Sequence, residues 1–372
     1  MEVQLKNIIT LSNQDLLQAL KMVSGVVESS QVMQILANVH FSISGQSVTL
    51  TTSNSEMEVS TAISVLAEES FSFTVSARKL FDISKGFSQD ASVELELADQ
   101  WLHVRSGKSN FRLATLPADS FPFFHADDTG VQYQLPATQL LRHFMKTSFS
   151  MARQDVRIYL NGLLLSFSSE GLKTVSSDGH RMSFMASEGE FSEDVSAIVP
   201  RRTILELVRL LTALGEEPLS ITFTDKIVIF QGAGFCLRSQ LIDGQFPPYQ
   251  KLIPQNLEHT ITLPNAEMKQ VVQRVGICAN EKFRGVRFAM ESGRLEVSAH
   301  NFEQETAKEE LPISYNGDQV VISFNMNYLQ EVLQAVDTES LTVSFTHQDS
   351  SVLIEPVSDE QAKYIVMPLS LN

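Results

Sequence analysis

The chain has little cysteine: two residues in 372, Cys236 and Cys278. Two thiols cannot build a disulfide framework or fill a four-ligand zinc site, so neither small-domain staple is on offer. Charged residues make up only 19% and hydrophobic residues 43%, a balance too apolar for a disordered chain. No apolar run approaches the roughly 18 to 20 residues that span a bilayer, which excludes an integral helical membrane protein. The opening MEVQLKNIITLS lacks the basic start and apolar core of a secretory signal, so a reducing cytoplasm is the expected address. Basic residues are also scarce: 28 Lys and Arg stand against 44 Asp and Glu, giving a net charge of -16 that argues against a phosphate-rich partner until the charges are located.

A pattern repeated three times dominates the rest. NQDLLQALKMVSGVV from Asn13, PATQLLRHFMKTSFSM from Pro136 and PNAEMKQVVQRVGICA from Pro264 read as first helices, each with apolar residues at helical spacing, such as Leu140, Leu141, Phe144, Met145 and Phe149. A second helix recurs as SARKLFDISKGF from Ser76, PRRTILELVRLLTAL from Pro200 and NMNYLQEVLQAV from Asn325. Between them, alternating runs such as SFSFTV, VELEL, WLHVRS, LSITFT, KIVIF, HTITL, RLEVS, VVISF and LTVSF read as half-buried antiparallel strands. FRLATLPADSFP (111–122) resembles FCLRSQLIDGQFP (235–247). The pattern predicts three α+β domains over 1–127, 128–254 and 255–372, each with antiparallel sheets and two helices packed on one face.

The charge is segregated along this pattern. The helical segments with their C-terminal extensions hold 15 basic and 7 acidic residues, and the remainder holds 13 and 37. On the first helix of the second repeat, Arg142, Lys146 and Arg153 fall within roughly 40° of one another if the helix runs that far, forming one basic edge opposite the apolar stripe. Helices that are basic while strands and loops are acidic attract a polyanion along one face only. With no aromatic-rich basic stripe accompanying the charges, duplex backbone contact without base readout is the better match.

Catalytic motifs fail on their own spacing. SGKS (106–109) ends like a phosphate-binding loop, but Leu102 stands where that motif needs glycine, so a hairpin turn is expected. SARK (76–79) has Ser-x-x-Lys spacing without the partner motifs of acyl enzymes, and Ser76 reads as a helix cap. The eight histidines include no HExxH pair. No metal, cofactor or enzymatic activity is expected.

The strings RKLFDISKGF (78–87), SMARQDVRIYLNGLLL (150–165), VSSDGHRMSF (175–184), IVPRRTILELVRLL (198–211), LIDGQFPPYQKLIP (241–254), NEKFRGVRF (280–288) and YIVMPL (364–369) resemble, in order and over the whole chain, the bacterial DNA sliding clamps, the β subunits of DNA polymerase III. The resemblance implies a non-enzymatic processivity factor: a head-to-tail homodimeric ring of six domains that encircles duplex DNA without reading its sequence. Its implied partners are DNA polymerases, an ATP-dependent clamp loader and other proteins carrying clamp-binding peptides. Domains of this size have radii of gyration of about 14 Å, so three closed on themselves leave almost no hole while six leave one roughly 30 Å across.

Carried onto this sequence, the DNA-facing positions are Arg78, Lys85, Arg153, Gln154, Ile158, Tyr159, Arg201 and Arg202. A peptide groove maps to Leu160, Ser177, Gly179, His180, Arg181, Met182, Pro247, Lys251, Leu252, Ser351, Val352, Ile365, Val366, Met367, Pro368 and Leu369. The dimer interface maps to Phe111, Leu113, Ile277, Cys278, Glu305 and Glu309, with Lys79 and Lys108 placed to pair across with the glutamates. Four positions depart from the family pattern: Ser30 and Ser370 stand where arginine is common, Ile158 replaces an aromatic residue, and Lys308 replaces an acidic one.

Overall fold

The computed structural model describes residues 7–27, 33–65, 67, 69–124, 129–359 and 361–369, and it repeats one order of elements three times. In the first repeat these are β1 (Asn7–Ser12), α1 (Asn13–Val23), β2 (Asn38–Ser44), β3 (Ser47–Ser53), β4 (Met57–Ser64), β5 (Phe71–Ser76), α2 (Ala77–Lys85), β6 (Ser92–Ala98), β7 (Trp101–Ser106) and β8 (Ser109–Leu116). The second runs β9 (Val131–Pro136), α3 (Ala137–Thr147), β10 (Gly162–Ser168), β11 (Gly171–Ser177), β12 (Arg181–Ser187), β13 (Val195–Pro200), α4 (Arg201–Leu214), β14 (Pro218–Phe223), β15 (Ile227–Gly232) and β16 (Phe235–Gln240). The third runs β17 (His259–Pro264), α5 (Asn265–Val275), β18 (Gly285–Glu291), β19 (Arg294–His300), β20 (Thr306–Pro312), β21 (Val320–Asn325), α6 (Met326–Ala335), β22 (Ser340–Phe345), β23 (Val352–Pro356) and β24 (Ala362–Val366). The expected helices and alternating strands are all present, and the strand pairings among the described residues are antiparallel. Ser30, Ser370 and the first domain boundary lie outside the described residues.

The helices pack through stripes three and four residues apart: Leu16, Ala19, Leu20 and Val23 on α1, and Met268, Val271, Val272 and Val275 on α5. Buried asparagines fix the helix pairs. Asn13, at the start of α1, donates to the Ser84 carbonyl at 3.0 Å, and Asn265, at the start of α5, donates to the Val336 carbonyl at 2.8 Å. Each reaches a carbonyl at the end of the second helix of its repeat, the Ser84 carbonyl also accepting from Phe87 N–H at 3.2 Å.

The chain forms two compact units, 1–138 with 209–241 and 139–208 with 242–372, so the second repeat is shared between them. The first unit carries a twelve-stranded sheet in the order β1-β6-β7-β8-β5-β2-β3-β4-β16-β15-β14-β9. Phe41 and Phe73, opposite each other on β2 and β5, stack at 4.8 Å in its core. The second unit carries an eight-stranded sheet, β13-β10-β11-β12-β24-β23-β22-β17, and a four-stranded sheet, β20-β19-β18-β21. Sheets therefore continue from one repeat into the next. β4 of the first repeat pairs with β16 of the second, and β12 of the second pairs with β24 of the third.

Candidate functional site

The two strands left over by those junctions carry the residues assigned to the dimer interface. β8 pairs with β7 along its length but meets β5 only at Thr115 and Leu116, and β20 pairs with β19 alone among the described residues. Phe111 on β8 is 38% exposed, with its ring 6.0 Å from that of Phe87, and Leu113 is half-buried. Beside β20 lies the single turn after α5, where Ile277 is 81% exposed and Cys278 half-buried. The glutamates differ from expectation in already having partners in their own chain. Glu309 accepts from Arg274 Nε at 3.1 Å, which holds its carboxyl below the usual range, and Glu305 accepts from Asn301 at 2.6 Å. Lys308 reaches back to Glu296 at 3.2 Å.

Of the positions expected to face DNA, Arg78 and Lys85 are exposed on α2, and Arg153, Gln154 and Ile158 are exposed on the segment after α3. Tyr159 is half-buried, packed against the apolar cluster of Leu164, Met182 and Ile365. Arg201 and Arg202 open α4. Burial and the neighbouring Arg153 hold the Arg201 guanidinium below its ordinary pKa. Arg153, Gln154, Arg181 and Arg201 line a cleft of about 880 Å³ with Tyr328 and Glu331.

The basic edge expected on α3 does not form. The helix ends at Thr147, short of Arg153, and its two cations are spent elsewhere. Lys146 is buried against Asp337 at 2.5 Å, and Arg142 pairs with Asp359 at 2.7 Å.

The groove positions sort by burial. Val352 and Val366, opposite each other on β23 and β24, lie fully within the third repeat's core and present no surface. Leu160, Met182 and Ile365 are buried, while Leu252 at 51% and Met367 at 49% are exposed, as are His180, Gly179 and Lys251. Pro247, Ser351, Pro368 and Leu369 are half-buried, and Ser177 is buried with its hydroxyl bonded to the Arg181 carbonyl at 2.8 Å. The C-terminal segment is tied down by Met367 N–H to the His180 carbonyl at 2.9 Å and Leu369 N–H to the Ser323 carbonyl at 2.7 Å. Arg181 is turned into the cleft instead, 7% exposed, bonded to Asp178, Glu331 and the Phe149 carbonyl and stacked on Tyr328.

Arg157 was missed by sequence reasoning. It grips Asp155 at 2.8 and 2.9 Å, depressing that carboxyl to about 2, and lies so close to Gly179 that a Cβ there would come within 2.6 Å of Nη2. The φ of +89° at Gly179 is what favours glycine there, since the Arg157 end could shift aside. The only sequence trace was Asp155 and Arg157 two apart beside Asn161, whose amide pins the same loop through Asp155 N–H at 2.8 Å.

The rejected motifs have ordinary structural roles. Ser106 to Ser109 is the turn of the β7–β8 hairpin, with Gly107 at φ +55°, and Ser76 Oγ accepts from Lys79 N–H at 3.4 Å as the cap of α2. Among the described residues no group of His, Cys, Asp or Glu is arranged to hold a metal ion, and no helix is long and apolar enough to cross a membrane.

Family models match the chain in three consecutive stretches: DNA polymerase III beta subunit N-terminal domain at 8–125, central domain at 134–248 and C-terminal domain at 250–370. The beta sliding clamp of Proteus mirabilis is 38% identical over 363 residues, covering 97% of this chain and 99% of that one. The Escherichia coli K12 beta sliding clamp is 36% identical over 364 residues, with the same coverage. The crystal structure of the DNA polymerase III subunit beta from Pseudomonas aeruginosa superposes with a TM-score of 0.93 at 34% identity, covering 98% of this chain and 100% of that one. Three repeats matched in order and a fold shared end to end lead to one conclusion: the chain belongs to the DNA polymerase III beta subunit family, the beta sliding clamps, which are non-catalytic processivity factors of DNA polymerase.

Proposed function

We propose that two copies close head to tail into a six-domain ring around duplex DNA, and that the ring tethers polymerases through the groove at Leu252, Met367 and Leu369. The observation that carries this reading is the arithmetic of the strand edges. Two junctions of one kind, β4 with β16 and β12 with β24, join the three repeats and leave one edge of each sort, β8 and β20, to complete a third junction with another copy. An unpaired strand edge is a liability that closure removes, and a heterologous contact closes into a dimer when the rotation is a half turn.

Arg78, Lys85, Arg153, Gln154, Arg201 and Arg202 are the side chains proposed to meet DNA phosphates, with Ile158 and Tyr159 beside them. They can hydrogen-bond or pair with phosphates but include no matched set for reading base edges. The groove takes extended peptides with one or two hydrophobic anchors, the ATP-dependent loader's among them. The domain boundaries are proposed at 127/128 and 254/255, and the working compartment is the cytoplasm.

Sedimentation tests the assembly. A ring runs near 83 kDa, twice the 41.4 kDa chain. A monomer at micromolar concentration that still binds polymerase peptides would favour a three-domain scaffold instead.

A further inference from the structure

The junction between the first and second repeats and the junction between the second and third are built on one frame. β2 pairs with β5 from Asn38 opposite Ser76, and β10 pairs with β13 from Gly162 opposite Pro200, so Asn38 corresponds to Gly162 and Ser76 to Pro200. The hairpin turns match as well. Asn54 Oδ1 accepts from Glu56 and Met57 N–H at 2.8 Å, and Asp178 Oδ1 accepts from His180 and Arg181 N–H at 2.9 and 3.1 Å. Each turn holds the chain of the next repeat through a backbone bond of 2.9 Å, Gln240 N–H to the Glu56 carbonyl and Met367 N–H to the His180 carbonyl. Glu58 lies opposite Arg238 in the first junction where Met182 lies opposite Ile365 in the second.

On this shared frame the chemistry is inverted. Leu164, Val175, Met182, Ile198 and Ile365 belong to one buried apolar cluster. Their counterparts in the first junction are His40, Thr51, Glu58, Thr74 and Arg238, because His40 pairs with Thr51 and Thr74 as Leu164 pairs with Val175 and Ile198. The first four are as buried as the residues they correspond to. Thr74 Oγ1 donates to the Leu116 carbonyl at 3.0 Å, and Glu58 accepts from Phe124 N–H at 3.0 Å. The Glu58 carboxylate also lies 3.7 Å from Arg238, whose side chain is 23% exposed. Exposed Met367 has exposed Gln240 as its counterpart. The third repeat is polar at the same places, with Arg287, Ser298 and Ser323 standing for Leu164, Val175 and Ile198. The frame recurs, but the apolar set belongs to the second repeat.

We infer that the polar set, and the Glu58–Arg238 pair above all, excludes hydrophobic peptides from the first junction and so confines docking to the second. This rests on the groove reading above. An apolar anchor laid over Arg238 strips the water that its exposed part retains and supplies no hydrogen bond in return, and this desolvation offsets the gain from burying the anchor. At Met182 and Ile365 no charge is desolvated, so the same anchor keeps its full gain. Discrimination between two sites of one shape then comes from a polar element set against the wrong one. The second junction shows that the frame accommodates Met and Ile opposite each other, and buried ion pairs are commonly replaceable by apolar residues without loss of the fold.

Calorimetric titration and photocrosslinking of one polymerase-derived peptide carrying a photoreactive leucine analogue test this. The unsubstituted chain should take one peptide, labelled near Met182 and Met367. Glu58→Met/Arg238→Ile/Gln240→Met should take a second, labelled within 36–58 or 238–240. A folded triple variant that still takes one peptide would overturn the inference, as would labelling of the first junction in the unsubstituted chain. If the triple variant does not fold, the reverse exchange decides: Met182→Glu/Ile365→Arg, which rebuilds the charged pair at the second junction, should weaken peptide binding by roughly 30-fold or more. Unchanged affinity in that folded variant would equally overturn the inference. An unsubstituted chain that takes no peptide at the second junction would remove the groove reading, and this inference with it.

Discussion

Lys146 on α3 is buried with its ammonium 2.5 Å from Asp337 and 2.7 Å from the Ala335 carbonyl, so a cation that reads as solvent-facing instead fastens the second repeat to the third. Asp337 stays largely hydrated; burial raises its carboxyl pKa, but the Lys146 contact outweighs that and the net shift is downward. Lys146→Met removes the charge and keeps the volume. It should cost about 1 to 3 kcal/mol, the range for losing bonds to a charged donor, measured by denaturant unfolding, with DNA retention unaffected. Loss of DNA retention in a stably folded variant would return Lys146 to the DNA face.

His143, fully buried on α3, bonds Thr174 Oγ1 at 3.1 Å and Ser187 Oγ at 2.9 Å, and desolvation lowers its pKa to about 3. A neutral ring satisfies both hydroxyls. Because the unfolded chain takes up this proton near pH 6.5 and the folded chain resists until about 3, stability should fall as pH drops through that window, by at most about 1.4 kcal/mol per pH unit. Unfolding titrations from pH 7 to 4 on the protein and on His143→Gln check this. The variant should lose that part of the slope, and parallel curves would show that His143 is not responsible.

The interface assignment predicts that Ile277→Asp/Cys278→Asp leaves a folded monomer, since burying unpaired charge costs several kcal/mol at each contact. Sedimentation with circular dichroism reads both properties. A folded dimer would place the contact elsewhere.

At the groove, deleting residues 367–372 removes the exposed Met367 and the Leu369 tie to Ser323. Affinity for a polymerase-derived peptide should fall about 30- to 1,000-fold, equivalent to roughly 2 to 4 kcal/mol, while the dimer persists. Unchanged affinity in dimeric protein would move the docking site.

The repeat, the helices and the strands were legible because apolar spacing encodes them locally: α1 and α5 lie where their stripes put them. Pairings between repeats were not, since nothing in β4 names β16 as its neighbour 170-odd residues on. The same distance hid the fate of Arg142 and Lys146, whose partners Asp359 and Asp337 belong to another repeat. Family resemblance proposes the groove positions but does not sort the exposed ones from the buried ones. Met367 and Val366 are adjacent in sequence, yet one is half exposed and the other buried because the strand ends between them.

The central claim is that DNA is held by enclosure, and retention on matched DNA forms tests it most directly. Protein placed by a clamp loader on a nicked circle should survive a wash at a salt concentration that screens phosphate contacts, and should leave when the circle is cut once. Equal retention on circular and linear duplex after the same wash would contradict enclosure and leave ordinary backbone binding in its place.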